Sequence, residues 1–175
     1  MRTLESLQYP IGRFEYGKQY TDADFKVNID RIQQLPKSIA SCIASFQEDD
    51  WKRPYRPGGW NARQLIHHLG DSHVNGYIRI QFALSERNPV IKPYNENDWV
   101  VQENENFDIT EGLAFLASVQ RRMAETLLNA SLSDRLRCYF HPELNRHVSL
   151  YDSAANYAFH GEHHLAHLKI IQSQI

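Results

Sequence analysis

Four stretches of the chain carry apolar residues at helical spacing, and each opens on a residue suited to end a helix. Thr21 precedes the acidic first turn of "TDAD", and Phe25, Ile29, Ile32 and Leu35 follow at intervals of three and four. Pro36 interrupts, and Ile39, Cys42, Ile43 and Phe46 resume the pattern, so a kink or short break is expected there. Asn61 with Gln64 forms a reciprocal cap for a second helix reaching about Glu86. "DITE", from Asp108, opens a third, whose apolar face is Leu113, Leu116, Val119, Met123, Leu127 and Leu128. Ser149, with Asp152 three residues on, opens a fourth that runs almost to the C-terminus.

The connections are of mixed length. "WKRPYRPGGW" reads as a structured loop, and "RNPVIKPYNEN" as a surface crossing with one helical turn around Glu96 to Val101. "RCYFHPELNRHVSL" holds two β-prone runs around a turn at Pro142 and Asn145, which predicts a small hairpin between helices three and four. The expected fold is therefore all-α, a four-helix bundle with one hairpin. Its 175 residues, without repeats or linker-like shifts, read as one domain over 1–175.

Composition narrows the function classes. A net charge of -2 with no lysine or arginine run argues against nucleic acid. Neither a secretory leader nor a membrane span is read, and two cysteines, Cys42 and Cys138, fit small buried hydrophobes in a reducing cytoplasm.

The histidines are distributed unevenly: four of nine lie in "HGEHHLAH" at 160–167. On a helix, His164 sits about 40° round from His160 and His167 about 20° the other way, so the three line one face with Ser153, Tyr157 and Ile171. His163 lies at the edge, roughly 60° off. The i, i+4 pair His160 and His164 can share one metal ion, and the i, i+3 pair His164 and His167 permits it too. "LIHHLGDSH" offers a partner from the second helix, but His67 and His68 point about 100° apart and cannot both face one spot. His73 is expected to face solvent. A buried imidazole cluster needs hydrogen-bond partners and repels itself when protonated, and a metal ion removes both costs by using the neutral nitrogens. The pattern admits either a metal site or histidines satisfied within the core.

With these motifs in order ("YPIG" at 9–12, "PYRPGGW" at 54–60, "RQLIHHLGDSH" at 63–73, "YIR" at 77–79, "FHPE" at 140–143 and "HGEHHLAH" at 160–167) the chain resembles the DinB/YfiT-like superfamily. The similarity is to its YfiT branch, the bacillithiol S-transferases, also described as metal-dependent hydrolases, and covers nearly the whole chain. The resemblance implies one divalent ion, zinc or nickel, held by His68, His160 and His164, with His167 in a supporting or core role. It further implies a transferase joining a low-molecular-weight thiol such as bacillithiol to an electrophilic small molecule and, with the aromatic-rich loops, a homodimer. Gly70, where the branch often has alanine, and Gly161 depart from helix preference, and close helix approach around the metal would account for both.

Three ligands leave a position open, where water would become hydroxide for hydrolysis or a thiol would become thiolate for transfer. A non-catalytic bundle stapled by its metal is the remaining alternative, and a fourth protein ligand would mark it. Supporting roles fall to Asp71, placed to orient the His68 ring, to Arg79, for an anionic group of the cosubstrate, and to Tyr157, as a hydrogen-bond donor. Trp60 reads as a core anchor.

Overall fold

The computed structural model describes residues 3–102 and 108–175. Four long helices make the frame: α2 (Asp22–Ile43), α3 (Ala62–Ser85), α5 (Ile109–Leu128) and α7 (Leu150–Gln172). Shorter helices are α1 (Leu4–Gln8), α4 (Glu96–Gln102) and α6 (Leu132–Arg135), and a 3-10 turn spans Glu48–Lys52. α2 packs on α7 and α5, and α3 packs on α5 and α7, which closes a four-helix ring. The four-helix bundle read from the periodicity is the fold.

The caps form as the sequence predicts. The side chains of Thr21, Asn61 and Ser149 each accept the backbone N–H three residues on, and Asp24, Gln64 and Asp152 return the bond to the cap's own N–H. Asp108 accepts from the N–H groups of Thr110 and Glu111. These bonds satisfy donors that a helix N-terminus leaves open, worth typically about 1 kcal/mol each.

Two expectations are corrected. Of the kink or short break expected at Pro36, the break does not occur: α2 is one helix from Asp22 to Ile43, with Phe25, Ile29, Ile32 and Leu35 before the proline and Ile39, Cys42 and Ile43 after it all buried. Tertiary burial on both sides outweighs the backbone bond that proline removes. Leu128, expected on the core face of α5, is 48% exposed at the end of that helix, where Leu127 takes the inward position. Cys42 is buried and Cys138 only half-buried.

The hairpin pairs β1 (Cys138–His141) with β2 (Arg146–Ser149), antiparallel, and Asn145 takes the left-handed turn conformation (φ 46°). Tyr139 and Val148, opposite each other, are buried against the bundle. The core divides into two apolar clusters. One gathers Phe25, Ile29 and Ile32 of α2 with Ile80, Met123, Leu127 and Leu150. The other gathers Leu35 and Ile39 of α2 with Leu65, Leu69, Leu116, Leu168 and Ile171. On α3, α5 and α7 the residues between these groups include His73, Gln120, His160 and His164, and His68 stands at the edge of the second group beside Leu69, so a polar layer crosses the bundle between two hydrocarbon halves.

The two helical glycines singled out in the sequence have separate causes. A Cβ on Gly161 would stand 2.2 Å from Leu35 Cδ2, so this glycine lets α7 approach α2 on the apolar side, away from the histidines. A Cβ on Gly70 would stand 2.8 Å from Phe115 Cδ1, on the α5 side.

A candidate metal centre between two helices

One turn of α7 carries His160 and His164 on the same face, and α3 brings His68 opposite them. One ring nitrogen from each lies within 4.8 Å of the others. His68 Nε2 and His160 Nε2 are 3.2 Å apart. Two imidazole nitrogens on one tetrahedral ion at about 2.0–2.1 Å would be separated by about 3.3 Å, so this pair already has the spacing of a shared ion. Among the described residues no cysteine, aspartate or glutamate ligand atom joins the three. The doublet is resolved by packing, since a Cβ on Gly112 of α5 would touch the His67 ring at 3.0 Å and His67 therefore faces α5.

The electrostatics suit neutral nitrogens. Burial pushes the His68 imidazole down to about 3, and the nearby His163 adds to the effect. His160 and His164 are held well below their ordinary value, first by burial and then by the neighbouring imidazoles. Rings kept unprotonated are the form that binds a divalent cation. The donor set thus fits one such ion.

A second set of side chains fixes these rings. His167 stacks on Tyr55 with ring centroids 3.8 Å apart. Its Nε2 lies 3.2 Å from the Gln8 carbonyl, and its Nδ1 lies 3.3 Å from His164 Nδ1. A carbonyl only accepts, so the proton of neutral His167 sits on Nε2. His167 Nδ1 then accepts from His164 Nδ1–H, and His164 Nε2 is left with its lone pair. Trp60 lies on the other side, 4.5 Å from the His68 ring and 6.0 Å from His164, nearly parallel to the latter. It packs on the cluster itself, which its position before a helix cap did not reveal. A cleft of about 450 Å³, lined by residues including Tyr9, Trp60, Glu96 and His163, reaches His160 and His164.

His73 corrects an expectation: it is fully buried. α3 is covered by α5 on one side and α7 on the other, so its solvent face is narrow. Gln120 on α5 meets His73 Nδ1 at 3.1 Å, and His73 Nε2 meets His160 Nδ1 at 3.4 Å. The signal was present in the small residues Gly70, Ser72 and Gly76, which mark a helix packed on several sides.

The supporting residues divide. Asp71 is half-buried, with its carboxyl raised by burial, and makes no hydrogen bond to the His68 ring. Arg79 and Tyr157 are brought together, Arg79 Nη1 donating to the Tyr157 hydroxyl at 3.5 Å. Tyr157 is buried edge-on to His73. Its ring sits against the backbone of Gly76, where a Cβ would come within 2.1 Å. The Arg79 charge partly offsets the upward push of burial on Tyr16 (raised to about 12) and on Tyr157.

A closed four-helix ring, with a hairpin before the last helix and a three-histidine cluster across two helices, defines a class of metal-binding bundles. The chain belongs to the DinB superfamily, whose family model matches residues 31–168. It is 37% identical over 161 residues to a protein of Oceanobacillus iheyensis named "Putative metal-dependent hydrolase", covering 92% of this chain and 93% of that one. A Bacillus cereus protein of the same name is 35% identical over 172 residues, 98% and 99% of the two chains. Among solved structures, YfiT from Bacillus subtilis, described as a probable metal-dependent hydrolase with an unusual four-helix bundle topology, superposes with a TM-score of 0.92 at 29% identity, covering 97% of each chain.

Proposed function

We propose that the chain is a metal-dependent enzyme in which His68, His160 and His164 hold one divalent ion, zinc or nickel, and that it transfers a low-molecular-weight thiol to electrophilic small molecules. The observation that carries this reading is a set of three neutral imidazoles, with no fourth acidic or thiolate ligand among the described residues, reached by a cleft. Such a set leaves a coordination position for an exchangeable group, as catalytic sites do and closed structural sites do not. A divalent ion bound there lowers the pKa of a thiol or water beside it and so supplies a nucleophile near neutral pH.

The chain's own residues supply the rest. His167 and the Gln8 carbonyl hold the His164 tautomer, and Trp60 covers the cluster on one side. Arg79, which donates to the Tyr157 hydroxyl and whose charge also acts on Glu96, is the cation this reading assigns to an anionic group of the cosubstrate. Asp71 keeps a place in this reading only as a half-buried carboxyl one turn from His68. The reading takes the protein as a cytoplasmic homodimer with small-molecule partners. Among the described residues no helix is long and apolar enough to cross a membrane.

Hydrolysis is the second reading, favoured by the names of the relatives. Incubating zinc- and nickel-loaded protein with a panel of thiols and a model electrophile, and in parallel with ester and amide substrates, tests both. Metal-dependent loss of thiol with adduct formation supports transfer. Cleavage without thiol consumption supports hydrolysis instead.

A further inference from the structure

Gln120 is fully buried on α5, in the layer that also holds the histidines. Its amide nitrogen faces His73 Nδ1 at 3.1 Å, while its oxygen is buried without a partner. That orientation has a consequence for the centre. An amide N–H donating to His73 Nδ1 puts the single proton of a neutral His73 on Nε2. His73 Nε2–H then donates to His160 Nδ1, and the single proton of His160 is left on Nε2, the atom 3.2 Å from His68 Nε2. The lone pair needed for a cation would be blocked.

Turning the amide by 180°, a change that leaves the heavy-atom outline unaltered, reverses the chain of protons. The oxygen accepts from His73 Nδ1–H, His73 Nε2 accepts from His160 Nδ1–H, and His160 Nε2 is free. We propose that Gln120 works in this turned orientation, and that Gln120 and His73 are positioning residues whose relay directs the His160 lone pair into the centre. The sense matches the relay on the neighbouring ligand, where the Gln8 carbonyl can only accept and leaves His164 Nε2 bare. Both relays draw ring protons outward, from opposite sides of the cluster. The role in metal binding rests on His160 being a ligand, and the tautomer itself does not.

The test has two arms. Long-range proton–nitrogen correlation spectra of the nitrogen-15-labelled, metal-free protein report which ring nitrogen of each histidine is protonated. His73 protonated at Nδ1 and His160 at Nδ1 are expected, and His73 protonated at Nε2 overturns the proposal. In the second arm, zinc affinity is measured by competition with a chelating dye for Gln120→Glu, which keeps an acceptor oxygen, and Gln120→Leu, which keeps only bulk. Gln120→Leu should weaken zinc roughly 10–100-fold, and Gln120→Glu should stay within a few-fold of the unaltered chain. Equal weakening in both variants, or none in Gln120→Leu, counts against the relay. The expected tautomers in a chain that binds no zinc would uphold the relay and sink the metal reading instead.

Discussion

His68 on α3 and His160 on α7 approach to 3.2 Å through their Nε2 atoms, and among the described residues no carboxylate joins their cluster. Two buried imidazoles at that distance tolerate at most one proton between them, and an ion bridging both would relieve the contact. Replacing His68, His160 or His164 by alanine should therefore abolish stoichiometric zinc, read by elemental analysis of protein purified through a metal-buffered column. His163→Ala should retain metal, since that ring stacks on Phe159 and lies outside the cluster of three. Full zinc in His68→Ala would show the ligand set to be wrong.

Chelation should lower thermal stability. An ion present at a hundred times its dissociation constant adds about 2.7 kcal/mol to a state that binds it. Calorimetry of the protein with zinc and with excess chelator should separate by several degrees, and His164→Ala should show no such separation.

The metal-free protein should lose stability in mild acid. The imidazoles of His68 and His73 are held at about 3, against an ordinary value of 6.5, by burial. Above pH 6.5 both rings are neutral folded or unfolded, and their contribution is fully present. Below it the unfolded chain takes up protons that the folded chain refuses, so stability falls as pH drops from 6.5 toward 3. The slope is roughly 1.4 kcal/mol per pH unit for each such ring. Urea unfolding of chelator-treated protein at pH 7.5 and 5.5 reads this directly, and equal midpoints would contradict it.

Gly76→Ala should destabilise the fold by about 1–3 kcal/mol, because the new methyl group would overlap the buried Tyr157 ring. Gly70→Ala should be mild or stabilising, since Phe115, its contact, is 45% exposed and can swing aside while the helix gains a better former. Chemical denaturation of the two variants side by side provides the comparison.

The fold was legible where local chemistry is strong. Thr21, Asn61, Asp108 and Ser149 cap helices at the positions read from sequence, and the hairpin turns at Asn145. Pro36 does not break α2 as one alternative had it, because a local rule meets a buried stripe on both sides, which only tertiary packing reveals. The i, i+4 geometry of His160 and His164 was visible on one helix, whereas choosing His68 over His67 needed the family resemblance. The side chains that orient the ligands were out of reach. Gln8 and Gln120 lie far in sequence from the rings they meet, and Trp60, eight residues before His68, sits in a loop outside the helix, so no periodicity links them. The short helices α1 and α6 were missed because 5 and 4 residues give too little pattern to read.

The polar layer between the two apolar halves also acts as a ruler for the bundle. Sliding α3 along α7 by one helical turn, about 5.4 Å, would part both His68 and His73 from the His160 nitrogens they now meet at 3.2 and 3.4 Å. Leucine and isoleucine seams alone would accept such a slip at modest cost, because one apolar knob resembles the next. Imidazoles and an amide accept only the alignment in which each finds its counterpart. The chemistry that gathers a cation therefore also sets helix register, and a variant that strips the layer to aliphatic residues would form a bundle whose helices no longer agree on where they meet.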